Sequence, residues 1–217
     1  MRIVIFSNGN FDHPEQDRGR IQPEDLLFAA DGGLHHLHAL GLFPDVLVGD
    51  LDSVDPELVN QLRQGGTEIQ EHPARKDQTD LELALEVAMD RSADEILILG
   101  GLGSRWDQTL ANILLLTQPR FQGLPILIFD GPQSVQMLPG GQTLEIQGQR
   151  GVTVSLIPIN GSAQGITTRG LEYELTDGTL EHGSTRGVSN VVVEEPAFVT
   201  LRQGMLACIV IDAGEEV

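Results

Sequence analysis

The chain has 217 residues, enough for one large domain or two modest ones around a real core. Hydrophobic residues make up 40% and charged residues 21%, a globular balance that excludes a disordered chain. The formal net charge of −19 excludes a nucleic-acid backbone as partner, which needs a basic surface, but leaves open a metal-screened nucleotide or a cationic small molecule. Much of that acidity also serves solubility. No apolar run approaches the roughly 18 residues that cross a bilayer, so no membrane association is expected. The apolar start at residues 1–6 is too short for a signal-peptide core. The single Cys208 sits in the apolar run 206–211, which reads as a buried structural thiol and fits a reducing cytoplasm.

Taken in chain order, residues 3–6, 26–30, 46–48, 68–70, 95–99 and 126–129 are short runs suited to strands. Between them, residues 34–40, 56–64, 79–91 and 108–116 carry helical periodicity. Leu81, Leu83, Ala84, Leu85, Val87 and Ala88 set the period of the third, with Thr79 or Asp80 as its cap. This alternation predicts a mostly parallel sheet with helices on both faces. The pattern changes at Gly131-Pro132, and the expected boundary divides residues 1–131 from 132–217. Beyond it lie strand-like runs at 134–138, 143–146, 152–157, 165–168, 191–193, 198–201 and 206–211, with no helix. Gly140-Gly141, Asn160-Gly161, Asp177-Gly178 and Gln203-Gly204 punctuate them and read as hairpin turns. The fold class expected is an α/β, Rossmann-like first domain followed by an all-β sandwich or barrel.

Ligands of open parallel sheets bind beyond the carboxyl ends of strands. Ala30-Asp31-Gly32-Gly33, Gly49-Asp50-Leu51-Asp52-Ser53 and Gly100-Gly101-Leu102-Gly103-Ser104-Arg105-Trp106-Asp107 all follow strand candidates, and Lys76-Asp77-Gln78-Thr79-Asp80 opens a helix. Together they ring one end of a sheet. If residues 50–52 are extended, Asp50 and Asp52 point to one side and converge on a hard cation. Asp77 and Asp80 add oxygens from the helix start. Carboxylates without His or Cys suit Mg2+, which keeps water and phosphate in its shell. The competing reading is a turn and N-cap, with Ser53 or Asp55 capping the helix at 56–64.

The glycines after Leu99, among them Gly101 and Gly103, let backbone amides approach phosphate at a helix N-terminus, although neither a P-loop nor a dinucleotide fingerprint is present. Arg105 offers a planar donor fork to phosphate. Asp107 is open between N-cap and ligand. His35, His36 and His38 read as surface or packing residues, since only His35 and His38 share a helical face and nothing completes a zinc site.

In order, Asp31-Gly32-Gly33, Pro44-Asp45 leading into residues 49–53, Lys76-Asp77-Gln78-Thr79-Asp80, residues 102–112 and Gly183-Ser184-Thr185-Arg186-Gly187-Val188-Ser189-Asn190 resemble the thiamine pyrophosphokinase family. Ser104 stands where that family often has a second glycine before its Arg. The resemblance implies a parallel α/β domain, a β-sandwich, and a homodimer whose cleft joins one subunit's first domain to its partner's second. It implies transfer of a pyrophosphoryl group from ATP to the hydroxyethyl oxygen of thiamine, releasing AMP. It further implies that Asp50, Asp52 and Asp80 hold magnesium, and that Asp31 or Asp77 orients the alcohol or accepts its proton. Lys76 and Arg105 then neutralise phosphate, Gly32, Gly33, Gly101 and Gly103 admit the nucleotide, and Tyr173, Ser189 and Asn190 hold thiamine. Rival readings are a pyrophosphokinase for another alcohol such as a hydroxymethylpterin, a regulatory module that binds without turnover, and a metal-dependent phosphohydrolase.

Overall fold

In the first part of the chain, short strands rich in Ile, Val and Leu alternate with amphipathic helices. The computed structural model describes residues 1–52 and 54–212, so Ser53, the proposed alternative cap, lies outside the described residues. The chain divides into two compact units, one of Met1–Gly131 and one beginning at Pro132.

The first unit runs β1 (Arg2–Phe6), α1 (Pro14–Arg18), β2 (Leu26–Ala30), α2 (Gly33–Ala39), β3 (Val46–Gly49), α3 (Pro56–Gly65), β4 (Glu68–Glu71), α4 (Asp80–Asp90), β5 (Glu95–Leu99), α5 (Trp106–Leu115) and β6 (Ile126–Asp130). The strands pair in parallel in the order β6-β5-β1-β2-β3-β4. Ile3, Val4, Ile5 and Phe6 are all fully buried, so both faces of the central strand are covered, as a parallel sheet requires. Successive strands step outward on one side of β1 and then restart on the other with β5. The strand order therefore reverses between β1 and β5, and a crevice opens beyond their carboxyl ends.

Local chemistry accounts for the helix boundaries. Thr79, not Asp80, caps α4, its hydroxyl accepting from the Glu82 amide at 3.2 Å. Asp55 caps α3 through the Glu57 amide at 2.9 Å, with Pro56 in the first turn and left-handed Gly66 ending the helix. Asp107 does not cap α5: the N-cap position is Arg105, without a side-chain cap, and Asp107 lies in the first turn. The five-residue α1 escaped the periodicity reading because it is little more than one turn.

The second unit contains β7 (Gln133–Pro139), β8 (Gln142–Ile146), β9 (Thr153–Pro158), β10 (Ala163–Arg169), β11 (Gly178–Leu180), β12 (Asn190–Val191), β13 (Ala197–Leu201) and β14 (Met205–Ile211). They form two antiparallel groups, β12-β9-β14-β7 and β11-β10-β13-β8. Leu138, Ile146, Leu156, Ile166, Val199, Leu206 and Cys208 are among the buried side chains that share its core. Burial pushes the Cys208 thiol up to about 12, so it stays protonated and inert. The expected hairpins are a correction. Gly140-Gly141, Asn160-Gly161 and Gln203-Gly204 join strands of opposite sheets, so these turns are corners between sheets. Turn residues bend the chain, but burial chooses the partner. Asp177-Gly178 leads into β11, which does pair with the preceding β10.

Candidate active site

A cleft of about 510 Å³ lies beyond the ends of β1, β2 and β5, lined by Asn8, Asn10, Asp31, Asp80, Gly101, Gly103, Arg105 and the start of α5 among others. Its floor is two backbone segments zipped together. The amides of Ser7, Gly9 and Asn10 donate to the carbonyls of Leu99, Gly100 and Leu102 at 2.7–2.9 Å. Only glycine fits at position 9, because a Cβ there would stand 2.2 Å from the Leu102 carbonyl oxygen. Helix α5 fixes the second segment from above. The Thr109 hydroxyl accepts from the Gly103 amide at 3.0 Å and donates to the Gly103 carbonyl at 3.1 Å, while Asn112 Nδ2 donates to the Gly101 carbonyl at 2.6 Å. Asn10 Oδ1 accepts from the Ser104 amide at 3.4 Å.

His36 braces the first segment. Its Nε2 lies 3.0 Å from the Gly9 carbonyl, which can only accept, so Nε2 carries the proton. The ring stacks on Phe11 at 4.7 Å, and burial lowers its pKa below the ordinary value of 6.5. His35 and His38 are exposed, so the three histidines act as packing and surface groups.

The aspartates gather by a route other than the one their spacing suggested. Residues 50–52 are not extended, which corrects the same-side argument: Leu51 has φ 59° and the Asp52 amide turns back to Asp50 Oδ1 at 3.2 Å. A leucine in the left-handed region costs roughly 1 kcal/mol. Leu51 is held there by packing against the core of the sheet. Asp31 is also left-handed, with φ 48°, at the end of the neighbouring strand. The outcome is carboxylate crowding. Asp52 has its pKa raised by a hydrogen bond shared with Asp50 and by the Asp50 charge, then by slight desolvation and the charges of Asp31 and Asp80. Three carboxylates, Asp50, Asp31 and Asp80, therefore act on Asp52. Among the described residues, no three Asp, Glu, His or Cys side chains form a ready-made metal shell. Of the aspartates, Asp31 and Asp80 line the cleft, whereas Asp50 and Asp52 stand outside its lining and Asp77 is exposed.

Other expected residues take distinct positions. Lys76 Nζ lies 2.8 Å from Asp80 Oδ1. Arg105 Nε donates to Asp107 Oδ1 at 3.1 Å, which raises the guanidinium pKa and lowers that of the carboxyl. Gly33 serves packing, since a Cβ there would stand 2.0 Å from the Phe6 carbonyl oxygen and force α2 off β1. Gly32 is buried beside it, against the Asn8 side chain. In the second unit, Asn190 Oδ1 accepts from the amides of Tyr173 and Val191 at 3.0 and 2.9 Å, and Nδ2 donates to the Tyr173 carbonyl at 2.8 Å. Asn190 is thus a clamp that presents Tyr173, which is 67% exposed. Ser189, left-handed with φ 61°, is tied by its amide to Ser155 Oγ at 3.0 Å. The sequence reading missed Asn8 and Asn10; the polar Ser7-Asn8-Gly9-Asn10 that ends the first strand run was the available signal.

A parallel α/β unit with its cleft at the strand-order reversal defines the class of open-sheet proteins that bind small ligands, nucleotides among them, beyond the carboxyl ends of their strands. Comparison with known proteins narrows the class. The description "Thiamin pyrophosphokinase, catalytic domain" matches residues 20–128, and "Thiamin pyrophosphokinase, vitamin B1 binding domain" matches residues 142–206. The chain belongs to the thiamine pyrophosphokinase family. A thiamine pyrophosphokinase of Bacillus subtilis is 29% identical over 191 residues, covering 88% of this chain and 89% of that protein. Thiamine pyrophosphokinase 3 of Oryza sativa is 32% identical over 167 residues, covering 73% of this chain and 62% of the relative. The crystal structure of thiamin pyrophosphokinase from Geobacillus thermodenitrificans superposes with a TM-score of 0.84 at 27% identity, covering 100% of both chains.

Proposed function

We propose that this chain is a thiamine diphosphokinase, transferring the pyrophosphoryl group of ATP to thiamine with release of AMP. The observation that carries the reading is the ordered pair of matches, a catalytic domain and then a vitamin B1 binding domain, over most of one chain. In the reaction, the hydroxyethyl oxygen of thiamine bonds to the β-phosphorus of ATP. The bond from that phosphorus to the α–β bridging oxygen breaks, and AMP departs. The alcohol proton passes to Asp31 or Asp77, directly or through water.

The donor set fits a magnesium ion: Asp52 lies within the field of Asp50 and Asp80, and these all-oxygen donors leave room for water and phosphate oxygens. Asp50, Asp52 and Asp80 would hold it. When bound, it supplies charge for the β-phosphoryl oxygens and the departing AMP. The zipped backbone at Gly9, Gly101 and Gly103 and the fork of Arg105 orient the polyphosphate. Residues 1–131 bind nucleotide and metal, and residues 132–217 bind thiamine through Tyr173, Ser189 and Asn190. The partner is a second copy of the chain. Trp106, Leu110 and Leu114, exposed at four-residue intervals on α5, and exposed Tyr173, Val188 and Val193 are apolar surfaces that a homodimer would cover. The compartment we assign is the cytoplasm, in keeping with the buried reduced Cys208. Among the described residues, no helix is long and apolar enough to cross a membrane.

Incubation with ATP, Mg2+ and thiamine should give AMP and thiamine diphosphate in equal amounts. Folded protein that yields neither would sink this reading. Turnover of a hydroxymethylpterin in place of thiamine would reassign the acceptor.

A further inference from the structure

Lys76 sits in the segment between β4 and α4, four residues before Asp80, and its ammonium lies 2.8 Å from Asp80 Oδ1. Both side chains are sheltered, at 15% and 25% exposure. Asp80 Oδ1 is buried and has no hydrogen-bond partner among the described residues, so Lys76 is the charge that offsets it. Asp80 is also one of the carboxylates whose charges reach Asp52. Arg105, the other cation of the candidate set, is held by Asp107 instead.

We infer that Lys76 is a resident counterion, occupying Asp80 in the nucleotide-free protein and moving to phosphate when a metal-bound nucleotide arrives. The inference rests on the metal and nucleotide reading above. A divalent cation bonded to Oδ1 at about 2.1 Å and an ammonium on the same oxygen would place like charges within roughly 5 Å of each other. Their repulsion weakens the binding of each while the other is in place. Without nucleotide, free metal therefore competes with Lys76 and binds weakly. A polyphosphate gives the displaced ammonium a new anionic partner, so metal and nucleotide bind with positive coupling. Lys76 thus does two jobs in succession: it offsets the Asp80 charge while the site is empty, and it favours the complex over either component.

The test is a Mn2+ titration of the full chain, with free metal followed by electron paramagnetic resonance and folding checked by thermal melting. Without nucleotide, Lys76→Met should bind Mn2+ on the order of tenfold more tightly than the parent, because one nearby positive charge is gone. Lys76→Gln provides the same comparison should Lys76→Met fail to fold, and Lys76→Arg should keep the parent's weak binding. Asp80→Asn should abolish the gain in the Lys76→Met background. Binding of α,β-methylene-ATP, which cannot transfer, should weaken in Lys76→Met, so the two affinities move in opposite directions. Unchanged or weaker Mn2+ binding by both folded neutral variants, with the parent still binding through Asp80, overturns the inference and leaves the metal reading standing. No Mn2+ binding in any variant, with or without nucleotide, overturns both.

Discussion

Thr109→Val tests whether the glycine segment beyond β5 must be held in place to receive the nucleotide. The substitution exchanges one hydroxyl for a methyl of similar size and removes two hydrogen bonds to Gly103, at 3.0 and 3.1 Å. Each contributes about 1 kcal/mol net, so about 2 kcal/mol of local order is lost. That loss falls on one loop and not on the sheet beneath it, so the global unfolding midpoint should move little. It should appear as weaker nucleotide binding, by up to about 30-fold at 1.4 kcal/mol per decade. Isothermal titration with α,β-methylene-ATP reads the affinity, and steady-state kinetics should show the change mainly in KM for ATP. Nucleotide affinity within twofold of the parent, in a folded variant, would refute the idea that this clamp organises the site. Asn112→Leu should act in the same direction through Gly101, and the double variant should fall short of the sum because both act on one loop.

Three further expectations concern charge. Asp52→Asn should melt near the parent temperature, since the side chain is exposed and the change relieves repulsion, yet lose at least about 100-fold in turnover; an unfolded variant would instead assign Asp52 a structural role. Arg2→Met should destabilise the first unit by about 3 kcal/mol or more, because the nearly buried Asp25 carboxylate loses bonds of 2.8 and 2.7 Å, as denaturant unfolding would show. Burial pushes the Asp25 carboxyl up, but Arg2 and the Gln22 amide outweigh it and hold its pKa below the ordinary 3.8. That stabilisation is present above pH 3.8 and is lost as pH falls through the lower folded value. His36, lowered by burial, contributes with the same sign in a higher window: its stabilisation is present above pH 6.5 and fades as pH falls through its folded value. His36→Gln should remove that upper slope from a plot of unfolding free energy against pH, and an unchanged slope would contradict the buried neutral imidazole.

The parts of this architecture that were legible in the sequence are those where a single segment contains its own cause. Helix α4 shows its period in Leu81, Leu83, Ala84, Leu85 and Ala88 and its cap in Thr79, and each is where the spacing placed it. The family match follows from short motifs of the same kind. What escaped were properties that belong to pairs of segments. Asn160-Gly161 reads as a hairpin because it turns, yet the choice of partner strand is made by burial across the unit. The extended reading of residues 50–52 failed because Leu51 is held left-handed by a core that lies elsewhere in sequence. His36 looks like one histidine of three until Phe11 and Gly9, 25 and 27 residues earlier, are placed against it.

The corners of the second unit bear on how this protein leaves the ribosome. Its strand β14 is paired on both sides, with β7 through residues 133–139 and with β9 through residues 153–158. All six parallel strands of the first unit are made once β6 emerges, long before β14. The second waits with β7 and β9 unjoined until residues 205–211 emerge, more than 40 residues after β9 is finished. Synthesis therefore delivers the strands and helices of the first unit ahead of an open apolar second one, and among the described residues β14 is the strand that closes it.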